Sequence, residues 1–147
     1  MATTVTKTTF TSRILESITI NGQQQQVYTM LSIPNVTDYS HRIMSVATTA
    51  TTLLTLAAAD AGGAIDKVRM QYVRLTNLDD ANDIQLTFTL TSSHTYEVVL
   101  GPKKTHMLTH KQGDVTTGGD VTLEDIVSIK GTASTAASDL EIFTVST

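Results

Sequence analysis

Ser12-Arg-Ile-Leu-Glu-Ser-Ile-Thr-Ile20, then Asn21-Gly22, then Gln23-Gln-Gln-Gln-Val-Tyr-Thr-Met-Leu-Ser-Ile33, is the stretch on which the fold turns. Ile14, Ile18 and Ile20 recur with a period of two, as in a strand whose successive side chains point to opposite faces. Asn-Gly is the favoured central pair of a type I′ hairpin turn, because both positions need positive φ. Beyond it Val27, Thr29, Leu31 and Ile33 alternate against Tyr28 and Met30, which predicts the returning strand. Pro34-Asn35 then breaks the ladder, since proline has no N–H to give it.

The same period continues along the chain. Further strands are predicted over 41–47, 51–57, 67–77, 84–90, 96–100, 105–110, 126–132 and 140–146. Turn signals separate them: Asp60-Ala-Gly-Gly63, Asp79-Asp-Ala-Asn-Asp83, Gly101-Pro102, Gly113-Asp114, Gly118-Gly-Asp120 and residues 134–139. Residues 47–59 hold five threonines, which disfavour a helix, beside alanines and leucines that favour one; strand is preferred there. Short strands at this spacing, with no convincing amphipathic helix, predict an all-β fold, an antiparallel β-sandwich with the jelly roll as one of its layouts. The expected organisation is one sandwich domain over 12–147, preceded by an extended N-terminal arm, 1–11.

Composition narrows the function classes. The 147 residues carry a net charge of −4, with no cysteine and no tryptophan. This length suits a single domain and is short for a multidomain enzyme. The acidic balance argues against a general nucleic-acid binder, which needs a basic stripe against phosphates. No apolar run is long enough to span a membrane, and Met1-Ala-Thr-Thr-Val-Thr-Lys7 lacks the apolar core of a secretory signal. Without cysteine there are no disulfides, thiolate zinc sites or cysteine nucleophiles. Threonine supplies 28 residues while charged residues make up only 16%, a surface poorly protected against association. Residues 1–78 carry a net +2 and 79–147 a net −6, so neighbouring copies could present complementary faces, although acidic loops beside neutral strands give the same asymmetry.

The search for catalytic or ligand chemistry yields little. His106 and His110 would share a strand face about 13 Å apart, too far to hold one metal ion. Asp79-Asp-Ala-Asn-Asp83 is an oxygen-rich turn but lacks the ligand spacing of a calcium loop. Ser92-Ser93-His94 sets a hydroxyl beside an imidazole, yet adjacent strand residues face opposite ways. Glu16, Glu97, Glu124 and Glu141 could pair as catalytic carboxylates, but no spacing brings two of them to one place. No phosphate loop, dinucleotide fingerprint or nucleophile elbow is present. Asn35-Val36-Thr37 fits a glycosylation sequon without a secretory signal to use it. The aromatic residues are scattered rather than interleaved with Lys and Arg. The expectation is a chain with no catalytic residues, no cofactor and no metal.

Val73-Arg-Leu-Thr-Asn-Leu-Asp-Asp-Ala-Asn-Asp-Ile-Gln-Leu-Thr-Phe88 reads as a strand, an Asn/Asp loop and a second strand. Tyr96-Glu-Val-Val-Leu-Gly-Pro102, a strand near Thr105, Leu123-Glu-Asp-Ile-Val-Ser-Ile-Lys-Gly-Thr-Ala133 and Asp139-Leu-Glu-Ile-Phe-Thr-Val145 follow. Over roughly residues 68–147 this succession resembles the small β-sandwich virion proteins of tailed bacteriophages, especially the head decoration, or cement, class. The resemblance implies a non-enzymatic virion protein that forms homo-oligomers, typically trimers. Such proteins sit on the major capsid protein and stabilise its lattice, with no direct contact to nucleic acid or membrane. The same traits suit a tail, connector or fibre-base protein of the same virion. A carbohydrate-binding sandwich using Tyr28, Tyr39, Tyr72 or Tyr96 is the rival class, and a hydrolase the third.

Two segments are the expected interface. One is the Thr-rich arm: Thr3, Thr4, Val5, Thr6, Lys7, Thr8, Thr9, Phe10 and Thr11. It has too little apolar content to order by itself and needs a sheet or a neighbouring chain to clamp it. The other is the hairpin tip: Asn21, Gly22, Gln23, Gln24, Gln25 and Gln26.

Overall fold

In the computed structural model, which describes residues 5–58, 62–113 and 122–147, Asn21 and Gly22 sit at φ +51° and +76°. They close a two-residue loop between β1 (Thr8–Ile20) and β2 (Gln23–Val36), with Ile20 opposite Gln23. That is the type I′ geometry the Asn-Gly pair predicts. The hairpin forms a two-stranded sheet of its own.

Its root departs from expectation in two ways. The first strand starts at Thr8, so Thr8, Thr9, Phe10 and Thr11 belong to a ladder with the chain's own β2 rather than to a separate arm. The second strand runs through Pro34-Asn35 instead of stopping there. Phe10 lies opposite Ile33 and Thr8 opposite Val36, leaving Pro34 and Asn35 across from Thr9 alone. This is a β-bulge, with Asn35 in the left-handed region at φ +60°. A proline is tolerated in a bulge because no ladder bond is asked of it.

The remaining strands are β3 (Asp38–Val46), β4 (Thr51–Ala57), β5 (Ile65–Asp66), β6 (Met70–Asn77), β7 (Ile84–Leu90) and β8 (Thr95–Leu100). They continue with β9 (Thr105–Leu108), β10 (Gln112–Gly113), β11 (Glu124–Ala133) and β12 (Ser138–Ser146). One sheet has the order β3-β12-β6-β9; the other has β5-β4-β11-β7-β8, with β10 on β11. Every pairing is antiparallel except the two-residue contact of β5 with β4. The expected antiparallel β-sandwich is therefore what the chain forms, and no helix occurs among the described residues. The stretch over 51–57 is a strand, as preferred; the predicted 67–77 strand begins only at Met70, and the 105–110 strand stops at Leu108. The turn signals at Asp60, Asp114 and Gly118–Asp120 lie outside the described residues, as do Thr3 and Thr4 of the expected interface.

The core lies between the two sheets. Leu53, Leu54, Leu56, Ile84, Leu86, Phe88, Leu90, Ile126 and Ile129 from one sheet meet Val46, Val73, Leu75, Leu140 and Ile142 from the other. A bulge lets β4 bury two successive leucines: Leu54 faces Ile129 and Thr52 faces Lys130, so Leu53 is the extra residue. Leu53 turns inward over Gly131, where a Cβ would stand 3.1 Å from both Leu53 Cδ1 and Val46 Cγ1. At one end of the sandwich the buried Asn77 ties two loops together, the one after β6 and the one after β8. Its amide donates to the carbonyls of Asn82, Leu100 and Gly101, and its oxygen accepts from the Asp79 N–H.

Candidate functional site

The outer face of the β3-β12-β6-β9 sheet is apolar enough to need a cover. Successive registers place Val145 between Tyr39 and Tyr72, Phe143 between His41 and Arg74, and Glu141 between Ile43 and Thr76. The hairpin root supplies the cover over part of this face. Phe10, Leu31 and Ile33 pack on Val36, Tyr72, Phe143 and Val145, forming a second small core. The Phe10 ring lies 5.1 Å from that of Tyr72 and 5.6 Å from that of Phe143. Phe10, expected in an arm clamped by a sheet or by a neighbouring chain, is thus the anchor of the hairpin on the sandwich.

Beyond its root the hairpin leaves the body. Leu15, Ile18, Ile20, Val27, Tyr28 and Met30 are each 56–63% exposed. The register distributes them over both sides of the ribbon: Ile14, Ile18, Ile20 and Val27 continue the side that carries Phe10, while Leu15, Tyr28 and Met30 share the opposite side. The ribbon is nearly uncharged, with Arg13 and Glu16 its only charged residues. Six of the exposed large apolar side chains are concentrated on this one projection.

Between ribbon and sheet runs an open groove of about 540 Å³. Its floor is Tyr72, Arg74, Met107 and Phe143, and its wall is the six consecutive residues from Phe10 to Leu15. Because residues of both parities line it, β1 presents its edge to the groove. Floor polarity is settled internally. Arg74 donates to Glu141 at 2.7 Å and to Thr76 at 2.8 Å, and His41 Nε2 bonds the other Glu141 oxygen at 2.7 Å. The Arg74 hydrogen bond, helped by that of His41, holds the Glu141 carboxyl below its ordinary range despite partial burial. The Tyr72 hydroxyl donates to the Met107 sulfur at 3.5 Å.

Of the expected interface, Val5, Thr6 and Lys7 are exposed and precede β1 outside any strand, and the tip residues Asn21, Gly22, Gln23, Gln24, Gln25 and Gln26 are all exposed at the far end of the ribbon. The two segments are not brought together; they stand at opposite ends of one hairpin. Of the floor residues the sequence reading named only Tyr72, as a sugar-binding candidate, and missed Arg74, Met107 and Phe143. Their signal is the apolar residues at both parities of β12 and β6, the mark of a strand covered on both faces.

The polar clusters weighed for chemistry are occupied with structure. Glu124 accepts the Ser92 N–H at 3.0 Å and bonds His94 Nδ1 at 3.2 Å, so the carboxylate, not the imidazole, receives Ser92. Those contacts, Ser92 first, keep Glu124 below its usual pKa. Asp79 is spent on the N–H groups of Asn82 and Ala81, at 2.7 and 2.8 Å, and is lowered from 3.8 to about 2. His106 turns inward against Phe88, where burial lowers its pKa, while His110 lies past the end of β9. Among the described residues no three His, Cys, Asp or Glu side chains group to hold a metal ion. Of the four tyrosines, Tyr72 is buried and Tyr96 is stacked on Phe88 at 4.7 Å, leaving Tyr28 and Tyr39 on different elements. No protein-family model, curated protein or solved structure matches this chain.

Proposed function

We propose that this chain is a non-enzymatic structural subunit of a phage virion, a decoration protein that binds the major capsid lattice and stabilises it. The observation that carries the reading is the projecting ribbon, apolar on both sides and anchored by Phe10, Leu31 and Ile33. An isolated two-stranded ribbon is marginal in water, so an exposed one of this length suits a chain that works packed against others. The strand order is a second support. Four strands in the order β3-β12-β6-β9 face four in the order β4-β11-β7-β8, the arrangement of an eight-stranded jelly roll, a layout common among capsid domains. Fold alone does not assign a role, and the ribbon is what turns the layout toward assembly. The polar clusters engaged in turns leave the sandwich as scaffold.

The test is co-sedimentation of the purified protein with expanded empty capsids of a tailed phage, beside a glycan array. Saturable capsid binding, a higher capsid disassembly temperature, and loss of both on replacing residues 15–28 by a short Asn-Gly turn are expected. A glycan signal without capsid binding would overturn the proposal in favour of a sugar-binding module.

A further inference from the structure

We infer that the groove receives the ribbon of a second copy, the two β1 strands pairing antiparallel about a two-fold axis. The inference rests on the structural-subunit reading and deepens it by naming the partner surface.

The ladder geometry fixes which backbone groups are free. A two-residue hairpin loop is flanked by a hydrogen-bonded pair, here Ile20 and Gln23, and bonded and non-bonded pairs alternate from there. Ile18, Ile14, Ser12 and Phe10 therefore bond to β2, while Thr19, Ser17, Leu15, Arg13 and Thr11 direct N–H and C=O away from it. No bulge interrupts the register between Phe10 and Ile20, so this parity holds along the whole edge. The groove wall is that same edge.

An extended segment laid antiparallel along β1 satisfies those groups by strand addition. The copy that fits best is β1 itself, which carries the same run of free groups, a self-complementary match of the kind a two-fold requires. In this pairing the two ribbons form a sheet of four strands whose Phe10 sides both face the sandwiches. The tip of one ribbon then lies over the floor of the other's groove. Ile18 and Ile20 of each copy cover Tyr72, Phe143 and Met107 of the other, and the exchange is reciprocal. A standard stable interface buries about 800 Å² per partner, and this pairing draws on the groove floor, the strand edge and the exposed side chains of one ribbon face. A foreign peptide in the groove would leave Ile18, Ile20 and Val27 of the ribbon bare. With only Arg13 and Glu16 as charges, the ribbon also offers little to steer an unrelated charged partner. The opposite side, with Leu15, Tyr28 and Met30, stays free for the lattice.

The experiment is light scattering behind a sizing column over a wide concentration range, on the wild type and on Arg13→Pro, Ser17→Pro and Arg13→Ala. Proline removes an outward N–H without touching the β1–β2 ladder; alanine at 13 keeps it. A wild-type dimer is expected, weakened at least tenfold by each proline and far less by Arg13→Ala, with the melting temperature of the sandwich preserved in all. Single cysteines at 13, 15 and 17, alone and in mixed pairs, supply a second readout in a chain with no cysteine of its own. Disulfide dimers at these edge positions and none at Tyr28→Cys support the pairing. A monomer that still binds capsids overturns this inference and spares the proposed function. An oligomer indifferent to both prolines overturns it too, placing the interface elsewhere, and a monomer that binds no capsid removes both.

Discussion

Replacing Phe10 by alanine tests whether the ribbon is a separate unit held to the sandwich by a few side chains. Phe10, Leu31 and Ile33 are its partly buried contacts with the outer sheet face. A fully buried phenylalanine loses about 3–5 kcal/mol on truncation, and each aromatic pair adds about 0.5–1.5. Phe10 is half-buried and holds two such pairs, at 5.1 and 5.6 Å. The expected cost is about 2.5–5.5 kcal/mol, which multiplies the detached population by roughly 70–10,000.

Because the sandwich core contains none of these residues, the loss belongs to docking and not to global folding. Hydrogen exchange followed by mass spectrometry separates the two. Peptides covering residues 8–36 should lose protection by that factor while peptides covering 84–90 and 124–133 keep theirs. Unchanged exchange in the ribbon would refute the anchoring role of Phe10. Equal loss in ribbon and core would show that the two unfold together, contrary to the division drawn from the packing.

Asn77→Ala removes a buried amide bonded to three carbonyls and one N–H, and should cost about 2–4 kcal/mol in urea unfolding; a change within error would mean that water replaces it freely. Gly131→Ala drives a Cβ against Leu53 and Val46 and should cost about 1–3 kcal/mol, with a less-than-additive loss when combined with Leu53→Ala. Strict additivity would remove the close approach as the cause. Asp79, lowered from 3.8 to about 2 by the N–H groups of Asn82 and Ala81, contributes stability that is complete above its unfolded pKa and is lost as pH falls through the folded one. Asp79→Asn should therefore flatten the decline in stability between about pH 4 and pH 2; an acid limb as steep as in the wild type would mean that other carboxylates govern it.

Local chemistry made most of the architecture legible. Asn21-Gly22 admits few conformations between two alternating runs, and the turn, the ribbon and its register followed from it. The strand over 84–90 follows the Asp79–Asp83 run, whose Asn and Asp side chains favour a turn, and both it and the strand over 51–57 fall where expected. The errors share a physical cause. Pro34-Asn35 stops a regular strand, but a bulge relaxes the requirement it violates, and bulges depend on the partner strand. Thr8–Thr11 looked like an arm because threonine alone does not pack; Phe10 does, but its partners Tyr72 and Phe143 lie more than sixty residues away. Long-range partners of this kind leave no local period to read.

The composition of the ribbon still carries information that alternation obscures. A ribbon with one wet face keeps its aliphatic residues at one parity. Here Ile14, Ile18, Ile20 and Val27 take one side and Leu15, Tyr28 and Met30 the other, so neither side is built for water. The sandwich covers only the root. Had the ribbon served only to cap the outer sheet face, the apolar residues would end where the contact with Tyr72 and Phe143 ends. They continue to Ile20, next to the turn. The length of the apolar pattern beyond the root, more than any single residue, is what the proposed assembly role rests on.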